Sequence, residues 1–199
     1  MKPLRTIGLA IAVALLPSTF ASAQAPSEAD LLRSIGTKKD GWNPIVFKPL
    51  RGQMTPAQVA KYFPGADSVP DSGVVEVPLE GKPGIARLKF KFQRDRRTMK
   101  PAYLGSAAII FDPALTDAPG FYETLWKLCE RKYGKIKRRE MIDKQFITWS
   151  SPTKKVEQVK FAQVWKFPVK EGTAFHLAIE FEQGPTPGTG ANPPGRKRR

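Results

Sequence analysis

The chain has 199 residues and carries 33 Lys or Arg against 18 Asp or Glu, which gives a formal net charge of +15. A field of that sign favours acidic partners and raises their encounter rate. One cysteine, Cys129, excludes an intramolecular disulfide, and one histidine, His176, excludes a metal site built from histidines. No glycine motif that cradles phosphate is framed by a strand and a helix, so we predict no cofactor and no metal.

The first 23 residues have the pattern of a cleavable secretory signal peptide. Lys2 and Arg5 precede an apolar run over 7–16, and the small-residue motif Ala21-Ser22-Ala23 follows. The run is shorter than the roughly 20 residues that span a bilayer, and no cysteine follows the motif to carry a lipid. We therefore expect a mature chain from Gln24 that is periplasmic or secreted and does not span a membrane. Loss of the two cations lowers the net charge from +15 to +13.

Helix-start patterns open the mature sequence. Ser27 with Asp30, and Thr55 with Gln58, each form a capping-box pattern at the start of a predicted helix. The first helix is predicted to end at Gly36 and the second before Pro64-Gly65.

Alternating and helical patterns then predict six strands and one longer helix. Strands are expected over 74–79, 85–94, 103–111, 145–150, 156–167 and 174–182, and a helix over 120–133. The alternation is clearest in 85–94, where Leu88, Phe90 and Phe92 alternate with cations and Gln93. In 174–182, Phe175 and its alternate residues are expected to face the core, while His176 faces out.

Antiparallel strands segregated from helices predict an α+β fold, a two-layer sandwich with the helices on one side of the sheet. From Thr55 onward the order is a helix and three strands, followed by the helix over 120–133 and three more strands. We expect one domain over 24–183, and the repeated order is compatible with an internal duplication of 55–111 and 119–182. The tail 184–199, rich in Gly and Pro and ending in four cations, is predicted to be disordered.

A short segment before the second helix resembles a known family. Gly52, Thr55 and Val59 resemble the G-x-T-x-x-x-V entry of BamE (SmpA/OmlA)-type bacterial envelope proteins, with one extra residue before Thr55. The resemblance implies helices packed on an antiparallel sheet and a role as a non-catalytic assembly factor. The lipid-attachment cysteine of that family has no counterpart in this sequence.

Two concentrations of positive charge are the strongest functional feature. One lies on the strand 85–94 and is extended by Arg96 and Arg97, and the other is the run 131–139 with six cations, which begins at a helix end where positive charge is favoured. If the two lie side by side, they form one anion-binding surface. Its predicted residues are Arg87, Lys89, Lys91, Arg94, Arg131, Lys135, Lys137, Arg138 and Arg139.

Catalytic patterns are weak by comparison. Cys129 lies on the apolar face of the predicted helix and is interpreted as a core thiol, and His176 is interpreted as a surface side chain. No nucleophile-elbow motif G-x-S-x-G is present. We predict no catalytic residue.

The predicted function is therefore non-enzymatic binding of an anionic membrane surface, an envelope polymer or an acidic protein, and export disfavours nucleic acid as the partner. One alternative is a cell-wall hydrolase that uses a carboxylate pair such as Asp112 and Asp143. Another is a protein inhibitor or chaperone-like module that recruits its partner to a sheet edge.

Overall fold

The computed structural model describes residues 26–113, 120–135, 146–150, 159–169 and 172–181. The predicted signal peptide, the basic tail, Asp143 and the cations Lys137, Arg138 and Arg139 lie outside these ranges. Within them the helices are α1 (Glu28–Ile35), α2 (Pro56–Ala60) and α3 (Phe121–Tyr133). The strands are β1 (Val74–Pro78), β2 (Ile85–Arg94), β3 (Pro101–Phe111), β4 (Phe146–Ser150), β5 (Val159–Val169) and β6 (Gly172–Phe181).

Both predicted capping boxes are present. The Ser27 hydroxyl accepts from the backbone N–H of Asp30, whose carboxylate accepts from the N–H of Ser27. Thr55 and Gln58 exchange the same pair of bonds at α2, where Pro56 needs no N–H partner. However, α2 ends at Ala60, earlier than predicted, and the chain continues to Phe63 in hydrogen-bonded turns.

The strands form one antiparallel sheet with the order β1-β2-β3-β6-β5-β4. The α+β class is confirmed, and β3 is central, as its apolar sequence predicts. The third strand of each predicted unit lies at the middle, so the strand order is symmetrical about the β3–β6 pair. An internal duplication stays a prediction that this symmetry motivates.

Aromatic contacts show which face of the sheet the helical elements cover. Phe90 of β2 packs against Phe63 and against Phe47 of a short 3₁₀ turn, with ring centroids 5.1 and 6.1 Å apart. Phe121 of α3 packs 5.5 Å from both Phe111 of β3 and Phe175 of β6. Burying each such side chain stabilises the fold by about 1.5–3 kcal/mol, so this covered face holds the sheet and helices together.

Alternate residues of the same strands point to the other side, which we call the open face. Lys89 and Lys91 flank the buried Phe90 and are accessible, as the alternation in β2 predicts. None of the described helices is long and apolar enough to cross a membrane.

Candidate functional site

A groove crosses the middle of the open face. Its floor is made of small side chains on the two central strands, and longer side chains of β2 and β5 form its walls. The groove has a volume of about 320 Å³. It is lined by Lys89, Lys91, Ser106, Ala108, Gln163, Trp165, His176, Ala178 and Glu180.

The strand register explains how the groove arises. Lys89 pairs with Ala108 of β3, Ala108 with Ala178 of β6, and Ala178 with Gln163 of β5. Residues paired across antiparallel strands project from the same face, so two adjacent alanines separate a lysine from a glutamine. Alanine is depleted in strands, where β-branched and aromatic side chains pack better. The central strands thus leave a depression where larger residues would fill the surface.

Trp165 forms part of the β5 wall and is unusually accessible for its size. Its side chain is 39% exposed, although tryptophan is among the residues that bury the most area. The indole N–H donates to Gln163 Oε1 at 3.2 Å, and Gln163 Nε2 donates to Thr148 Oγ1 at 3.0 Å. These bonds orient the ring, so a ligand that stacks on it does not have to order it first.

The cations of the β2 wall have different surroundings. Glu76 of β1 accepts from Arg87 at 3.0 Å and forms an ion pair with Lys89 at 3.3 Å. Arg94 donates to the carbonyl of Asp71 at 2.5 Å. Among the described residues, Lys91 has no carboxylate within 4.0 Å and is exposed. One carboxylate is therefore shared by two cations, which leaves this wall positively charged, and Lys91 is the groove lysine without an ion pair among the described residues.

His176 lies opposite the β2 wall and pairs with Trp165 in the register. It faces away from the core, as predicted, but it is half buried in the groove instead of lying on an open surface. Burial, together with the positive charges of Lys89 and Arg87, lowers the pKa of the imidazole to about 4, although Glu76 opposes this shift. The side chain therefore enters the groove as a neutral hydrogen-bonding group at neutral pH.

The helix-end cations are placed differently from the β2 cations. Helix α3 packs on the covered face, whereas Lys89 and Lys91 project from the open face. Arg131 forms an ion pair with Glu28 of α1, and Lys135 lies near Glu130 in a shallow, mixed-charge depression. The described helix-end cations therefore lie on the covered side of the sheet and Lys89 and Lys91 on the open side. Lys137, Arg138 and Arg139 lie outside the described residues, so the joint anion-binding surface stays a prediction.

Lys132 is part of the same basic run, yet it is a structural residue. The side chain is 3% exposed, and its ammonium group donates to the carbonyls of Thr37 and Gly41 at 3.1 and 2.7 Å. It ties the loop after α1 to the end of α3. The sequence carries a signal for this role, because position 132 follows Leu125 and Leu128 on the apolar stripe of the helix.

The residues of the alternative chemistries do not come together in the described structure. Cys129 is fully buried, as predicted, and burial raises the pKa of its thiol, which makes it a poor nucleophile. The backbone N–H of Asp112 donates to the carbonyl of Gly84 at the end of β3, and its predicted partner Asp143 lies outside the described ranges. Among the described residues, no group of three or more His, Cys, Asp or Glu could hold a metal ion.

The groove contains residues that the sequence did not single out. Trp165, Gln163, Ser106, Ala108 and Ala178 become neighbours only through the pairing of β3, β6 and β5. The sequence feature that pointed to the groove was the presence of Ala108 and Ala178 at outward-facing positions of two apolar strands. Strand pairing between segments about 70 residues apart in the chain could not be read from that signal.

Comparison with known proteins gives no matching family model, no matching curated protein and no matching solved structure. The resemblance of Gly52, Thr55 and Val59 to BamE-type proteins therefore stays a prediction.

Proposed function

We propose that the protein is an exported, non-enzymatic binding protein of the bacterial periplasm, and that the open-face groove holds an anionic envelope component or an acidic segment of a partner protein. One observation carries the proposal. Lys91, an exposed cation with no ion pair among the described residues, stands on one wall of the groove, and the accessible ring of Trp165 stands on the other. A ligand that has both an anionic group and an apolar surface could bind Lys91 with the one and pack on the ring of Trp165 with the other.

The charges around the groove support an anionic ligand with hydrogen-bond donors. Lys89 is held in place by Glu76, so its ammonium group is oriented before a ligand arrives. Glu180 stands on the floor strand β6 in the same row as Lys91 and Ser106. A densely charged polyanion would meet repulsion there, whereas a ligand with separated anionic groups and hydroxyl or amide donors would not.

The compartment in this proposal comes from the sequence. The basic, apolar and small-residue order of 1–23 supports export, and export brings the groove to lipopolysaccharide, acidic glycans and acidic envelope proteins.

A binding titration tests the proposal. Mature protein from Gln24 is titrated calorimetrically with the phosphorylated core oligosaccharide of deacylated lipopolysaccharide, with an acidic peptide and with a neutral dextran of similar size. We expect binding of one anionic ligand that weakens as salt rises, because exposed charges are screened within about 10 Å at 0.1 M salt. Absence of binding to both anionic ligands at low salt would contradict the proposal.

A pair of lysine variants assigns the binding to the groove. Lys91→Gln should weaken binding about tenfold, the equivalent of about 1.4 kcal/mol for a charge-assisted hydrogen bond. Lys127→Gln removes the same charge from the exposed side of α3 and should leave affinity within about twofold. Equal losses in the two variants would show that net charge, and not the groove, governs binding.

A further inference from the structure

The turn between β2 and β3 is a second concentrated cationic feature, separate from the groove floor. This hairpin tip, residues 94–100, contains Arg94, Arg96, Arg97 and Lys100 and one acidic residue, Asp95. Every residue of the tip except Asp95 is exposed. The tip extends past the end of the sheet, beyond the groove end at which Lys91, Gln93 and Gly105 line a smaller depression.

The acidic residue of the tip is used within the turn. The Asp95 carboxylate accepts from the backbone N–H groups of Thr98 and Arg97 at 2.8 and 2.9 Å and from the Thr98 hydroxyl at 3.2 Å. These bonds lower the pKa of Asp95. Its backbone also closes the turn, because it donates to Lys100 O and accepts from the N–H of Met99. The tip is thus a preformed turn whose outward charge is positive.

Met99 places an exposed apolar side chain on the hairpin tip. Its side chain is 61% exposed, the highest value among the large hydrophobic residues identified as exposed in the described ranges. Its φ is 57°, in the left-handed region that glycine adopts readily and methionine rarely does. A glycine would suit the backbone better, so the methionine adopts this conformation at a cost while its side chain is in contact with water. Strain of this kind is often found where a side chain has a binding role.

We propose that the hairpin tip docks on an anionic lipid surface, with its Arg and Lys side chains on the headgroup phosphates and Met99 inserted beneath them. Basic side chains near an anionic leaflet are attracted to it, and apolar side chains gain by entering the boundary of the acyl chains. A soluble polyanion would use the same cations but would gain nothing from an exposed thioether. The coincidence of Met99 with the cations therefore favours a membrane over a dissolved partner.

Lipid docking at the hairpin tip does not depend on the groove. Docking at the tip would hold the Lys91 end of the groove near the lipid surface, but the tip can bind lipid even if the groove binds nothing. Failure of one proposal leaves the other intact.

Vesicle flotation tests the inference with the mature protein. The vesicles contain phosphatidylcholine with about a third phosphatidylglycerol, and pure phosphatidylcholine vesicles are the neutral control. We expect binding to the anionic vesicles that falls as salt rises. The double variant Arg96→Gln, Arg97→Gln should lose about tenfold or more in vesicle affinity. The matched control Lys38→Gln, Lys39→Gln, on an exposed 3₁₀ turn of the helical layer, should lose less than about twofold.

Met99→Gly is the decisive variant, because it separates stability from binding. It keeps all four cations and relieves the left-handed backbone, so the unfolding temperature should stay the same or rise. Vesicle affinity should nevertheless fall about threefold to tenfold, since the apolar anchor is gone. Wild-type vesicle affinity in Met99→Gly, equal losses in the two double variants, or equal binding to neutral vesicles would each overturn the inference.

Discussion

The two faces of the sheet differ in what their side chains do, although both faces are made from the same strands. On β2, Phe90 is fully buried between Phe47 and Phe63, while the next residue, Lys91, is exposed beside a groove. On β6, Phe175 packs against α3 while His176 lines that groove. The covered face carries the stabilising contacts, and the open face carries Lys89, Lys91, the small floor residues and the accessible tryptophan. Substitutions at neighbouring positions should therefore have separable effects on stability and on binding.

The largest expected effect on stability is at the covered face. Phe90→Ala should lower the free energy of unfolding by about 3–5 kcal/mol, because it removes a buried ring and leaves a cavity. Lys91→Ala, one residue away, should change it by less than about 0.5 kcal/mol. Chemical denaturation of both variants checks this contrast. Similar losses at the two positions would mean that the open face also stabilises the fold.

Lys132 tests whether a charged residue on the covered side also contributes to stability. Lys132→Met should cost about 2 kcal/mol, since two partly buried carbonyls lose a charged donor while the side-chain volume is nearly kept. Arg131→Ala removes only the exposed pair with Glu28 and should cost less than about 0.5 kcal/mol. Equal stability of Lys132→Met and wild type in urea denaturation would show that the ammonium group contributes no net stability.

The stability of the protein should depend on pH because of His176 in the groove. The folded state holds His176 neutral down to a pKa of about 4, while the unfolded chain takes up a proton near the ordinary value of 6.5. Stability linked to this group is therefore complete above pH 6.5 and is lost progressively as the pH falls toward 4. We expect this loss to be about 2 kcal/mol, because the side chain is only half buried. His176→Gln should remove this loss of stability at low pH. The difference between the pH profiles of the wild type and the variant separates the contribution of His176 from that of nearby carboxylates.

The smallest effect on stability should come with a large effect on binding. Ala178→Val places two methyl groups on the groove floor and should change stability by no more than about 0.5 kcal/mol, since valine suits a strand. Affinity for the core oligosaccharide should fall about tenfold if the ligand lies on that floor. Ala178→Ser is the control of similar size and should bind like wild type. Unchanged affinity in the valine variant would place the ligand elsewhere.

The sequence predicted the covered face better than the open one, for a physical reason. Alternation along β2 assigned Phe90 and Lys91 to opposite faces, and the capping box of Thr55 placed the start of α2, because both patterns are local. Only the register of β3 with β6 places Ala108 beside Ala178, and that register is long-range. The same limit applies to the relative position of the described cations on β2 and on α3. Helix periodicity located Arg131 on α3 but could not show that α3 packs away from Lys91.

Assignment of the binding face by NMR tests the central claim most directly. Uniformly labelled mature protein is titrated with the phosphorylated core oligosaccharide and, separately, with the acidic peptide. With one of these ligands, we expect saturable shifts at Lys89, Lys91 and His176 and at the indole N–H of Trp165, while α1 and the exposed side of α3 stay unchanged. Shifts that cluster around Glu28 and Arg131, or that spread over all exposed lysines without saturation, would contradict it.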